Sequence, residues 1–181
     1  MSDFVDDLDE HIRHLRRYAR ALVGHPEDAD DLVQESLRRA LTYANSERET
    51  ANWRAYLFRI LHNVRADHLA RKARDREVPI DDYAGELACP AAQHGIMAVQ
   101  DMERALGLLP TEQREVVLLV GLEGLTYREA TDVLDVPIGT VMSRLSRGRE
   151  ALRRILADPD TGMGLDDAGV VPDGELEKRV V

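Results

Sequence analysis

Five arginines, Arg144, Arg147, Arg149, Arg153 and Arg154, fall within residues 139–157 beside a single acid, Glu150. Thr140 and Ser143 stand just ahead of them. A guanidinium can bond a guanine edge or a phosphate with two parallel hydrogen bonds, and hydroxyls can bond either. Such a set works only if one element presents it on one side. Val141, Leu145, Leu152 and Ile155 recur at helical spacing, which places the cations on the opposite face of a helix. A shorter helix precedes it. Thr126 with Glu129 three residues on has the spacing of a capping box, and Ala130, Val133 and Leu134 form its inner face. Asp135-Val136-Pro137-Ile138 breaks the pattern, because Pro137 cannot continue the hydrogen-bond ladder, and Gly139 would let two backbones approach closely. The product is a helix-turn-helix whose second helix can enter a major groove. An ordinary helical hairpin with a solvated basic face uses the same residues.

A second cationic cluster lies upstream. Residues 53–76 carry Arg54, Arg59, Arg65, Arg71, Lys72, Arg74 and Arg76. Their helical inner face is Trp53, Tyr56 or Leu57, Ile60, Leu61, Val64 and Leu69, with Asn52 placed to cap. Trp53, Tyr56 and Phe58 beside those arginines could hold a single DNA strand by base stacking and phosphate pairing. The alternative is core aromatics behind a solvated face.

The 181-residue chain carries a net charge of −10, which argues against a polyanionic ligand until the charges are mapped. Residues 53–76 hold seven bases and two acids, whereas 77–100 hold four acids and no base. Local potential, rather than global charge, steers a polyanion. Low aromatic content (4%) and abundant Leu, Ala and Arg predict an all-α fold. Further helices are predicted over 8–23 (Leu8, Ile12, Leu15, Ala19, Leu22 inward) and 27–43 (Leu32, Val33, Leu37, Ala40, Leu41 inward). Two more cover 96–109 (Ile96, Val99, Met102, Leu106, Leu109 inward) and 112–121. Residues 45–50 read as a polar loop, 77–95 as a flexible acidic linker and 158–181 as an acidic, Gly-containing tail. The organisation predicted is a first helical domain over 1–76 and a second over 96–157. The acids at the start of 27–43 suit a helix N-terminus but exceed what the dipole needs. The single cysteine, Cys89, excludes an internal disulfide framework and suits a cytoplasmic location. The six histidines have no metal-ligand spacing, and His11 and His14 read as helix-surface residues. No membrane span, signal peptide, phosphate-binding loop or nucleophile–base pair is found, so neither an enzyme nor a cofactor is predicted.

The motifs together resemble a known family. Asp31-Leu32-Val33-Gln34-Glu35-Ser36, followed by Trp53, Leu57-Phe58-Arg59-Ile60-Leu61, Asn63 and Asp67, is similar to domain two of bacterial sigma factors. Leu109-Pro110, Arg114-Glu115-Val116, Glu123-Gly124-Leu125-Thr126-Tyr127-Arg128-Glu129-Ala130 and Val136-Pro137-Ile138-Gly139-Thr140-Val141 are similar to domain four. Two domains on a short linker resemble the extracytoplasmic-function sigma factors. Gly24 ahead of Asp28-Ala29-Asp30-Asp31 and the Leu15–Leu22 stretch resemble the alphaproteobacterial general-stress branch. The resemblance implies a non-catalytic specificity subunit that docks on core RNA polymerase through Asp31, Leu32, Gln34 and Glu35. It implies recognition of a melted −10 strand of promoter DNA by Asn45, Ser46, Arg54, Arg59, Asn63 and Arg65. It places −35 duplex readout on Thr140, Ser143, Arg144 and Arg147, with Arg128 and Arg149 on phosphate. An anti-sigma factor is the implied antagonist, and the chain is expected to be a monomer when free or 1:1 with it. Met142 and Ser146 depart from the family pattern on the reading helix, which leaves the −35 sequence open.

Two other function classes use part of this pattern. A dimeric helix-turn-helix regulator would need neither the DLVQE segment nor the basic helix at 53–76. A sigma-like decoy that only sequesters an antagonist would not need Arg144 and Arg147.

Overall fold

A computed structural model describes residues 7–44, 52–75 and 95–157. Within them the chain is helical, with no strand. In order the elements are α1 (Leu8–Val23), α2 (Pro26–Ala44), α3 (Trp53–Asp75), α4 (Gly95–Gly107), α5 (Thr111–Val117) with a π-helical turn (Leu118–Leu122) on its end, α6 (Tyr127–Leu134) and α7 (Ile138–Ala157). Local chemistry sets the boundaries. Gly24 takes φ 83° and returns its N–H to the Arg20 carbonyl, which closes α1. Pro26 then opens α2, where a missing N–H costs nothing. Asn52 caps α3 by accepting the Ala55 N–H at 3.0 Å.

The first three helices form one layered unit. Leu15, Tyr18, Ala19 and Leu22 of α1 are buried with Leu32, Val33 and Ala40 of α2 and Leu57, Phe58, Leu61 and Val64 of α3. Fully burying one such leucine contributes about 2 kcal/mol. Ser36 is also buried, and its hydroxyl turns back on the Leu32 carbonyl at 2.6 Å. In the second unit, Leu106, Leu109, Val116, Leu118 and Leu119 meet Ala130, Val133 and Leu134 of α6 and Val141, Leu145, Ala151 and Ile155 of α7. Helical spacing overstated the core at its edges. Leu41, Leu69, Val99 and Met102 are all at least 40% exposed, because none of the described helices covers them.

The close approach expected at Gly139 occurs at another glycine of α7. Gly139 is exposed, and a Cβ built on it would meet no atom outside its own helix within 4 Å. The close approach is at Gly148, where a Cβ would lie 2.7 Å from Val117 Cγ2. The left-handed residue of the turn is Asp135, at φ 53°.

The two units are packed together. α3 lies against α6, and α1 lies against α4, α5 and the π-helical turn. The Arg114 guanidinium of α5 donates to the Leu22 carbonyl at the end of α1 (3.0 Å) and to the carbonyls of Gly107 and Leu109. The linker expected at 77–95 and the tail at 158–181 lie outside the described residues, apart from Gly95 at the start of α4.

Candidate nucleic-acid interface

The helix-turn-helix forms as its residue pattern requires. Thr126 accepts the Glu129 N–H at 3.2 Å, and the Glu129 carboxylate accepts the Thr126 N–H at 2.7 Å. The N–H bond from Thr126, above all, holds the Glu129 carboxyl below its usual range. On α7, Val141, Leu145, Gly148, Ala151 and Ile155 are buried. The opening turns therefore face outward with Gly139, Met142, Ser143, Ser146 and Arg147. Ser143 donates its hydroxyl to the Thr140 carbonyl at 3.0 Å, and Thr140 itself is half-buried. Arg147, Arg149 and Arg128 are exposed. Arg144 differs from the base-reading role the sequence suggested. Its side chain is only 18% exposed and pairs with Glu112 of α5 at 2.5 Å, so it braces α7 against α5.

The basic helix α3 is less open than its sequence suggests. Phe58 is buried edge-on against Tyr18, with ring centroids 5.2 Å apart, so it offers no surface for a base. Burial in this packing pushes the Tyr18 hydroxyl far above its usual pKa. Trp53 and Tyr56 are half-buried and cluster with Tyr43 of α2, with centroids 4.7–6.4 Å apart. Arg59 and Asn63 are exposed. Arg54 and Arg65 are engaged with the second unit. Arg54 donates to the Glu123 carbonyl and lies 3.7 Å from its carboxylate. Arg65 donates to Glu115 at 2.9 Å. Asn45 and Ser46 lie outside the described residues.

On α2, Asp31 and Gln34 are exposed, and with Arg38 and Leu41 they make an outward stripe at helical spacing. Leu32 belongs to the core at 4% exposure, which removes it from any docking surface. Glu35 accepts Arg38 and Arg39 at 2.7–2.8 Å, and these hydrogen bonds lower its carboxyl to about 2. Arg39 also reaches Asp67 of α3 at 3.0 Å, so this network ties α2 to α3.

Further contacts between the units come from residues for which the sequence suggested no interface role. Glu123 has a fully buried side chain, and His14 (2.7 Å) and Arg17 (2.9 Å) converge on it from α1. His14 is thus an interface residue, not a plain helix-surface one. Glu115, 6% exposed, meets Arg65 and, at 3.5 Å, His62. Asn52 donates to Glu129 at 2.6 Å. One signal was present: Glu123 ends the apolar run Leu118-Leu119-Val120-Gly121-Leu122, a place where an acid needs a partner.

These features define a two-unit helical protein with a helix-turn-helix on one unit and a basic helix on the other. Residues 8–62 match the family model described as the sigma2 domain of PhyR, and residues 100–152 match sigma-70 region 4. The chain is 35% identical to the ECF RNA polymerase sigma factor EcfG of Rhodopseudomonas palustris, over 90% of each chain. It is 36% identical to the ECF sigma factor SigM of Mycobacterium tuberculosis, over 86% of this chain and 78% of that one. Among solved structures, the sigma factor RpoE from Bartonella quintana, in complex with the anti-sigma factor NepR, superposes with a TM-score of 0.74. That match has 33% identity and covers 87% of this chain and 99% of that one. The chain belongs to the ECF family of RNA polymerase sigma factors.

Proposed function

We propose that this sigma factor binds core RNA polymerase through the exposed Asp31–Gln34 face of α2 and directs it to promoters bearing −10 and −35 elements. The observation that carries the reading is the outward face of α7, where hydroxyls and a guanidinium stand together on the opening turns of a braced helix. Ser143 and Arg147, with Met142 and Ser146 beside them, read the −35 duplex; Arg128 and Arg149 contact phosphate. Thr140 supports the N-terminal turn, and Arg144 positions the helix. Arg54, Arg59, Asn63 and Arg65, with Asn45 and Ser46 ahead of them, take the melted −10 strand. The domains are 1–76 and 96–157, joined by 77–95 and followed by the tail 158–181. The factor acts without catalysis, in the cytoplasm, and by likeness to the RpoE complex is held by an anti-sigma factor in a 1:1 pair.

The test is to add the purified chain to bacterial core polymerase with a genomic DNA pool and sequence the transcripts. Discrete start sites sharing two upstream elements are expected. Polymerase binding without start sites would favour a decoy, and absence of polymerase binding would favour an ordinary helix-turn-helix regulator.

A further inference from the structure

We propose that Met142 selects a thymine in the −35 duplex by packing its thioether side chain on the C5-methyl group of the base, which makes an A·T pair at that step part of the promoter code. This rests on the −35 reading given above. Met142 and Ile138 lie one turn apart on α7 and are 53% and 51% exposed. Residues four apart are neighbours on a helix surface, so the two form one apolar ridge. The buried side of α7 is Val141, Leu145, Gly148, Ala151 and Ile155, which fixes the placement of the remaining positions. Gly139, Ser143 and Ser146 fall opposite that side, with Met142 and Ile138 on one flank and Arg147 on the other. The ridge therefore continues the face assigned to duplex readout, and what covers it there is the major groove.

Chemistry narrows the base. Adenine, guanine and cytosine present donors and acceptors in the major groove, and thymine adds a methyl group. A thioether is only a weak acceptor, so Met142 gains little from a polar edge and displaces the water on it. On a methyl it gains by burial, and its unbranched chain adapts to the shape it meets. Gly139 lets the helix seat deeply. A Cβ there would meet no atom outside its own helix within 4 Å, and its φ is not positive, so neither packing nor backbone requires a glycine. Glycine in a helix is less stable than alanine, and the space it leaves serves a molecule approaching from outside. Met142 and Arg147 stand about 7.5 Å apart along the axis, at about 1.5 Å per residue. A helix aligned with the groove thus puts the thymine about two base pairs from the pair that Arg147 reads, at about 3.4 Å per pair.

The test uses the full chain assembled with core polymerase. Promoter fragments that this holoenzyme selects from a library randomised at −35 are rebuilt with each thymine of the element replaced singly by deoxyuridine, which removes only the C5-methyl. Affinity is read by fluorescence-anisotropy competition at fixed salt. One replacement should weaken binding about fourfold, the effect of one buried methyl. That sensitivity should vanish in M142A and survive in M142L. M142K should lose the thymine preference and steepen the salt dependence by about one phosphate contact. G139A should weaken binding at an unchanged or raised Tm. Both positions are exposed, so these variants keep the fold, which circular dichroism checks. A selected element without thymine, indifference to every deoxyuridine, or a deoxyuridine effect that M142A retains overturns the thymine contact. G139A binding as wild type overturns the deep seating it depends on. A wild-type holoenzyme with no −35 preference, unmoved by R147A, overturns the −35 reading itself. A preference that R147A reduces, with no methyl effect, leaves that reading standing and removes only the role of Met142.

Discussion

Gly148 sets the distance between α7 and α5, and its replacement by alanine opposes two effects of known size. In a helix interior alanine is favoured over glycine by about 1 kcal/mol. The new Cβ would lie 2.7 Å from Val117 Cγ2 and 3.4 Å from the Gln113 Cβ and carbonyl oxygen. Carbon atoms prefer about 3.5–4.0 Å, so the two helices must part by about 1 Å or Val117 must leave its rotamer. Valine has little χ1 freedom with which to do so. Overpacking of this kind costs about 1–3 kcal/mol, which outweighs the propensity gain and leaves a net loss near 1 kcal/mol. For a chain of this size that is a fall of about 2–4 °C in Tm by differential scanning calorimetry. The sign should reverse when the obstacle is removed. In a Val117→Ala background, Gly148→Ala should stabilise by about 1 kcal/mol, and the double-mutant cycle isolates the contact. Stabilisation by Gly148→Ala alone, or continued destabilisation in the Val117→Ala background, would refute the packing argument.

Three further outcomes are expected. Asp31→Ala with Gln34→Ala should abolish co-purification with core polymerase at unchanged Tm, whereas Leu32→Ala should lose about 2–5 kcal/mol of stability as a core truncation. Arg147→Ala should cost about 1–3 kcal/mol of discrimination between promoter variants in run-off transcription, while Arg144→Ala should lower Tm as well, since its partner is Glu112. Glu35 has its carboxyl depressed from 4.5 to about 2, so its contribution is present above pH 4.5 and lost as pH falls toward 2. The Tm difference between wild type and Glu35→Gln should accordingly be full at pH 7 and close across that interval; a constant gap down to pH 2 would show that ionisation is not the cause.

Helix spans were legible because each end carries its own chemistry: Gly24 after α1, Asn52 before α3, Thr126 with Glu129 before α6. The −35 unit was legible for the same reason. What periodicity could not provide was which side of each helix another unit would cover. Phe58 reads as part of an aromatic rim, yet faces Tyr18 because α1 crosses there. Arg144 sits among base-reading candidates by sequence, yet the position of α5 turns it into a brace. Val99 and Met102 keep core spacing without a core beside them. The pairing of Glu115 and Glu123 with the first unit depends on tertiary contact across long separations; the apolar run before Glu123 signals that the acid needs a partner but not which one.

Arg17 and its partner Glu123 are separated by 106 residues. At a synthesis rate of about 5–20 residues per second, about 5–20 s pass between the two leaving the peptidyl-transferase centre. Over that interval the first unit emerges with Arg17, Arg54 and Arg65 still lacking Glu123 and Glu115, which do not yet exist to meet them. The nascent factor is thus born accessible and becomes self-contained only once the second unit has been made. Whatever binds the first unit earliest, whether polymerase or antagonist, meets it before the chain is able to bind itself.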